Sequence, residues 1–443
     1  MSEALDNVAV VVDNGSCLVK AGVAGTDKAQ VVAPSLVGTA KYPQAMLSAE
    51  LAVQDDTLCC ERASEMRGVL RLRRPLRTGA TVADWNDLEK VWRHVYGRLG
   101  ALLIMGVSVC ACRYKYLPVR VLPCKYRPAS AGVSAREHPL LLGETPLRCD
   151  NERLRTAELA FDALGVPALH IAAQPILSLY ASGRTTGAVL DVGHTVSHCV
   201  PIFEGFAVPH AVQRVDLAGQ DVDEELRRLL ARSGHRFDTS AELEVVRAIK
   251  EATCVVPDDF AAAEKRLQDR LRQQMRPRRK THAAAEATSA VPAASFLGGD
   301  IETTYRLPDG NSVTLGAERY RATQVLFDPT ICGKEHSGVH HLVTDAVTRC
   351  DLDLRQALYN TVVLAGGSTC LSGFPQRLGH ELRQLLPRGV AIKVVAPRNR
   401  QQSAWIGGSI LASLGTFRRM WVTRQDFDEC GASIFARKGI GLI

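Results

Sequence analysis

The sequence predicts an α/β fold in which one strand–turn–strand unit occurs once in each half of the chain. Three observations carry this. Residues 10–16 (VVVDNGS) run from an apolar stretch into Asp13, Gly15 and Ser16. Residues 189–195 (VLDVGHT) repeat that order with Asp191, Gly193 and Thr195, and each copy is followed by a second strand-like stretch. A third apolar stretch, VVLA (362–365), ends in Gly366 and Gly367.

The elements follow in order. VAVVV (8–12) reads as a buried strand and residues 18–24 as its hairpin partner, with Gly15 in the turn. Residues 82–99 read as a helix capped by Asp84, with Trp85, Leu88, Val91, Trp92 and Val95 on one face. Residues 151–165 read as a second helix, capped by Asn151 and ended by Gly165. A strand at 168–173, a helix at 175–183, a strand at 187–193 and a hairpin over 198–212 folded at Glu204–Gly205 complete the middle of the chain.

Composition sets the outer bounds. With 443 residues, 46% hydrophobic and 23% charged, the chain has the make-up of an ordinary soluble protein of several domains. No apolar run has the length of a membrane span, and the N-terminus has no secretory pattern. The 13 cysteines include no paired CxxC units with zinc-like spacing, which fits a reducing cytosolic or nuclear compartment. The net charge of +7 is concentrated in two segments, 101–131 and 261–300, so it does not by itself indicate nucleic-acid binding. Segment 101–131 shows no clean period and receives no function. Residues 261–280 form a basic helix stopped at Pro277, with Leu267, Leu271 and Met275 as a narrow stripe. That helix either docks an acidic partner or nucleic acid, or is a solvated helix followed by an Ala/Thr/Ser linker.

Two glycine turns opening on a shared cleft can hold a polyphosphate from both sides, because glycine lets backbone N–H groups approach the oxygens. Two carboxylates at the strand ends can hold a magnesium ion through water. The plainer reading is that Asp13 and Asp191 only cap their turns, and that His198 is a satisfied strand histidine.

Longer strings then enter. DNGSCLVKAGVAG (13–25), LSLYASGRTTGAVLDVG (177–193), PIFEGFAVPHAVQRVDLAGQD (201–221), LPDGNSVTLGAERYR (307–321), LYNTVVLAGGST (358–369) and WIGGSILASLGTF (405–417) together resemble the actin family. The resemblance covers most of the chain except segments near 101–131 and 265–300. It implies the actin-like ATPase fold: ribonuclease-H-like duplicated halves, four subdomains and ATP in the central cleft. Subdomain 1 would take residues 1–38 and 67–180, and subdomain 2 residues 39–66. Subdomain 3 would take 181–217 and 328–373, subdomain 4 would take 218–327, and 374–443 would return to subdomains 3 and 1.

The resemblance also implies roles. Asp13 and Asp191 flank a magnesium or calcium ion through water. Gly15, Ser16, Cys17, Leu18 and Lys20 line the phosphates of ATP or ADP, with Gly193 and Val196 as the second phosphate turn. Gly219, Lys250 and Glu251 lie near ribose and base, Gly366 and Gly367 close the base pocket, and Gln174 and His198 position the attacking water. Departures from the family's pattern are Cys17 for a glycine, His194 and Thr195 for Asp-Gly, Leu371 for a tyrosine and Gln401 for a lysine. They imply retained nucleotide binding with slower hydrolysis or altered metal dependence. Cys17 reads as a turn filler rather than a redox switch. His194 is either a pH-sensitive phosphate contact or a bland substitution.

For partners, the resemblance points to Tyr180, Leu411 and Leu414, with Ile410, Thr416 and Met420 nearby, as a cleft for partner helices. Met46 would anchor a loop contacting the next filament subunit. Lys334, in the turn FDPTICGKE (327–335), puts a charge where strands of a filament meet. Only Glu3 and Asp6 remain of an acidic N-terminal cluster, so myosin would bind weakly. The expected function is an ATP-binding cytoskeletal subunit that self-associates into filaments in the cytoplasm and hydrolyses ATP slowly on assembly. The alternative is a non-polymerising actin-related interaction module, for instance in a nuclear chromatin complex.

Overall fold

The computed structural model describes residues 7–41, 57–104, 133–275 and 302–438. Glu3, Asp6, Met46 and its loop, segment 105–131, Pro277 with the following linker, and the side chains of Leu271 and Met275 lie outside the described residues.

The first hairpin pairs strand Val10–Asn14 with Leu18–Val23, and its register sets Asp13 opposite Lys20. Val10–Asn14 also runs parallel to Leu140–Glu144, which runs parallel to Ala168–Ala173; Val31–Pro34 and Val422–Thr423 complete a six-stranded sheet. Alternation along the strands divides the apolar residues between two cores. Val10, Val12, Leu140 and Leu142 join the Leu88–Val91–Trp92–Val95 face of helix Trp85–Ile104, while Val11 and Leu141 face Leu177 and Trp405. Trp85 is only partly buried against that core.

The second sheet repeats the plan. Gly187–Val192 pairs antiparallel with Ser197–Phe203, setting Asp191 opposite His198, and parallel with Val362–Ala365, which pairs with Val394–Val395. Its residues alternate likewise: Leu190, Val192 and Leu364 face the largest core, whereas Val189, Val363 and Ala365 face Leu179. The turn at Glu204–Gly205 folds the next hairpin as expected, both residues taking positive φ (50° and 88°).

Helix Gln174–Ala181 lies between the sheets, giving Leu177 to one core and Leu179 to another. Helix Ser403–Ala412 packs directly on it. A Cβ on Gly407 would stand 1.7 Å from the Leu177 carbonyl oxygen, so a glycine is required for this approach. The Trp405 indole donates to the Val11 carbonyl at 3.0 Å, and the Ser403 hydroxyl donates to that of Ser178 at 3.0 Å.

Two smaller units extend from the sheets. Thr57–Cys59, Val37–Ala40 and Leu70–Arg73 form a three-stranded sheet with helix Cys60–Glu65, around Leu36, Ala63, Leu70 and Leu72. Helices Gly219–Arg232 and Ser240–Thr253 and hairpin Thr303–Arg306/Ser312–Leu315 pack onto the second body.

Two sequence expectations shift. The helix expected from Asn151 begins at Asp150 with Cys149 in extended cap geometry, and Asp150 pairs with Arg153 one turn on. Its last turn, Leu159–Leu164, loosens into a wider π-type coil before Gly165 stops it in the left-handed region. The basic helix is described over Phe260–Met275, and its N-terminal half is held to the body: Ala263 is buried and Glu264 pairs with both ends of the Arg321 guanidinium. Asp84 caps its helix as expected, accepting from the N–H groups of Asn86 and Asp87 at 2.9 and 3.3 Å.

His170 is buried against Phe417 and Trp421, with Nδ1 3.2 Å from the Met420 carbonyl. Burial lowers its pKa from 6.5 to about 4. The unfolded chain therefore binds a proton that the folded chain refuses between those values, and stability falls as pH drops through that window. We expect His170→Gln to lessen that loss, by up to about 1.4 kcal/mol per pH unit within the window. Urea unfolding at pH 7, 6 and 5 measures it; equal slopes for both proteins would contradict the burial argument.

Candidate functional site

A cavity of about 500 Å³ lies where the two hairpins face each other. Asp13, Gly15, Ser16, Cys17, Leu18 and Lys20 line one wall; Asp191, Gly193, Val196 and His198 line the opposite wall. Gln174, Lys250, Glu251, Gly366 and Gly367 line it too. The expected residue outside the lining is Gly219, which braces the wall from behind. Its N–H donates to the Gly193 carbonyl at 3.2 Å and its own carbonyl accepts from Lys250 Nζ at 3.0 Å.

The carboxylates of the two hairpins meet here. Asp13 is 3% exposed; one carboxylate oxygen accepts from Gln174 Nε2 at 2.7 Å and the other pairs with Lys20 Nζ at 2.7 Å. Asp191 has its pKa raised to about 6 by burial and then by repulsion from Asp13, partly offset by Lys20. His198, across the hairpin from Asp191, is held to about 3 by burial and then by Arg214, so it is a neutral imidazole at pH 7. Its Nε2 is buried without a hydrogen-bond partner among the described residues. Two neighbouring carboxylates beside an unpartnered imidazole nitrogen suit a hydrated divalent cation, in a lining whose Lys20, Lys250, Arg148, Arg319 and Arg400 suit an anionic ligand.

The glycine turns leave room for backbone approach. Gly366 has φ 86°, and a Cβ there would stand 2.3 Å from the Val192 carbonyl and 2.4 Å from Asp191 Oδ1. In the second hairpin turn the Gly193 N–H donates to the Val196 carbonyl at 3.0 Å, and the Gly193 carbonyl accepts from Ser368 Oγ at 2.6 Å. His194 is a neutral group: burial first, then Arg74, Lys250 and Arg247, hold its pKa well below the ordinary value. It therefore does not change charge near neutral pH.

Sequence reasoning missed a network that crosses the cleft. Arg74, just after strand Leu70–Arg73, donates to the carbonyls of Ser16 and Cys17 at 3.2 and 3.3 Å and pairs with Glu244. Arg247 pairs with Glu244 at 3.0 Å and points Nη1 at the Cys17 thiol, 2.6 Å away. Thr195 donates to the Ser16 hydroxyl at 3.1 Å, and Leu72 N–H donates to Ser240 Oγ at 3.2 Å. Glu244, Arg247 and Glu251 recur at helical spacing beside Lys250, which marks the face, although nothing in sequence identifies its partners.

Away from the cavity, Tyr180 donates to the Gly205 carbonyl at 3.3 Å, and Leu411 and Leu414 are half-buried against the Trp405 core. Ile410 is core, Thr416 and Met420 are exposed, and Phe206, beside Gly205, is 79% exposed and was not anticipated. Lys334 corrects an expectation: it is not a free charge at its turn, because Nζ pairs with Asp221 at 2.7 Å and donates to the Asp216 carbonyl at 2.6 Å.

The comparisons with known proteins agree with this architecture. The family model for actin matches residues 4–440. An "Actin-like protein" of Neurospora crassa is 42% identical over 430 residues, which is 97% of each chain. Proteins of the family generally bind ATP or ADP with a divalent metal. Among the described residues no helix is long and apolar enough to cross a membrane. The chain belongs to the actin family.

Proposed function

We propose that this chain is an ATP-binding actin-like subunit that assembles into filaments in the cytoplasm and hydrolyses ATP slowly when it does. The observation that carries the reading is the pair of Asp–glycine turns facing each other across one cavity, with Asp13 paired to Lys20 and Asp191 close enough to Asp13 to be repelled by it. Backbone N–H groups of residues 16–18 and 194–196 receive the phosphates, while Lys250 and Glu251 lie on the ribose side and Gly366–Gly367 close over the base. Asp13 and Asp191 hold magnesium or calcium through water, which supplies charge neutralisation for the phosphates. Gln174 is fixed by Asp13, and neutral His198 keeps a free ring nitrogen for a water.

In this reading the two hairpin bodies and two smaller units are the four subdomains with the boundaries given above. Lys334 supports assembly, because its charge is neutralised within the chain rather than presented to a neighbour. Tyr180, Leu411 and Leu414, with Phe206 added, form the cleft for helical partners; myosin binds more weakly than to a more acidic N-terminus. The second reading, a non-polymerising interaction module that also reaches the nucleus, is favoured by the network that ties the cleft shut through protein groups.

High-speed sedimentation with magnesium–ATP, followed by electron microscopy of the pellet, decides between them. Helical filaments are expected; protein that binds ATP yet stays in the supernatant at high concentration establishes the interaction module. For the network itself, Arg74→Ala removes charge-assisted bonds worth about 1.5 kcal/mol net, so bound nucleotide leaves about tenfold faster. Displacement of a fluorescent ATP analogue measures this, and an unchanged release rate would show that Arg74 does not restrain the cleft.

A further inference from the structure

A second cluster lies outside the cleft, where the three-stranded unit meets the first body. Helix Cys60–Glu65 brings Cys60 and Glu61 against His94 of helix Trp85–Ile104, and one ligand atom from each residue lies within 4.8 Å of the others. We propose that Cys60, Glu61 and His94 form a zinc site with a water as fourth ligand.

The donor set selects the metal. A thiolate with an imidazole and a carboxylate suits zinc, whereas magnesium and calcium take all-oxygen shells. Bond lengths of about 2.0–2.3 Å place tetrahedral ligand atoms about 3.3–3.7 Å apart, so closing the cluster needs a shift of about 1 Å. His94 Nε2 and Glu61 Oε2 already stand 2.9 Å apart, and both side chains are partly solvent-exposed, at 23% and 29%. They supply the movement and the route of entry. Cys60 is fully buried and fixed.

Charge balances as well. Thiolate and carboxylate neutralise the dication, so the Arg98 guanidinium 3.7 Å from Glu61 Oε1 is tolerated and acts as an outer partner that orients the carboxylate. The backbone gives an independent sign: Cys60 holds φ 57°, the left-handed region where a side chain is strained by about 1–2 kcal/mol. A glycine would be easier there, yet the chain places a buried thiol beside a histidine–carboxylate pair. The ion would join the small unit to the first body by coordination, fixing an orientation that otherwise rests on packing and polar contacts.

The test uses the full chain, freed of metal by chelation and kept in excess magnesium–ATP, with cobalt(II) and zinc as probes. Cobalt is expected to give a thiolate charge-transfer band, and zinc to displace it at one equivalent and raise Tm. Cys60→Gly relieves the backbone, so it is expected to fold, and it should abolish the band. It should lower zinc affinity by more than the roughly 10–100-fold that loss of an outer partner costs. His94→Asn should do likewise, which separates this site from the thiols near the cleft. No charge-transfer band in the parent protein, or a band that survives in Cys60→Gly, would overturn the proposal.

Discussion

Two carboxylates, Asp13 and Asp191, end the central strands of two sheets and face one buried cavity, and the architecture around them follows from keeping them there. Burial first, and then repulsion from Asp13, pushes Asp191 toward neutrality, while Asp13 bonds to Lys20 and Gln174. Lys20 reaches Asp13 because hairpin register sets the two opposite each other, and the same register sets His198 opposite Asp191. A duplicated hairpin thus yields two unlike partners, a cation for one acid and a neutral ring for the other. Two buried acids held close together cost free energy, and a cation bound between them would recover part of it.

The cleft is built differently at its base and its mouth. At the base, helices Gln174–Ala181 and Ser403–Ala412 approach so closely that Gly407 admits no side chain, and Trp405 bonds directly to a strand carbonyl. Close-packed apolar contacts of this kind do not open by degrees. At the mouth the two halves meet through arginines, hydroxyls and one thiol, and each such bond exchanges for water at a modest net cost. Opening therefore belongs at the mouth. On the proposed function, release of the nucleotide would be governed by Arg74 and its partners rather than by the core.

Much of this was legible in the sequence because it is local. The Asp–x–Gly turns, the alternating strands, the Asp84 cap and the Glu204–Gly205 turn each depend on residues within a few positions of one another. What escaped depends on distant pairs. Cys17 and Arg247 are 230 positions apart, and Arg74 and Glu244 are 170 apart. Lys334 read as an exposed charge because its partner, Asp221, comes from another helix. The start of helix Asp150–Glu158 was misplaced because Asn151 is a good cap by type, whereas backbone geometry at Cys149 decides the first turn. Gly219 is not a lining residue but bonds to two that are, Gly193 and Lys250, a distinction of one layer that no spacing encodes.

Three of the five residues read as departures from the family's pattern, Cys17, His194 and Thr195, sit at the two facing turns. Cys17 meets Arg247, Thr195 bonds to Ser16, and His194 gives its carbonyl to the Gln220 N–H while its ring faces Asp223. Cys17 and Thr195 thereby gain side-chain partners across the cleft, whereas the His194 bond is one its backbone makes. A single such change would leave a side chain crowding a phosphate turn. Together, and with Arg74 tying the first turn to Glu244, they would move part of the work of closing the cleft from a bound ligand to the chain itself. A cleft closed in this way has less free energy to gain from its nucleotide, and less to lose on hydrolysis. On the proposed function, slow turnover and a lasting closed state would have one physical origin.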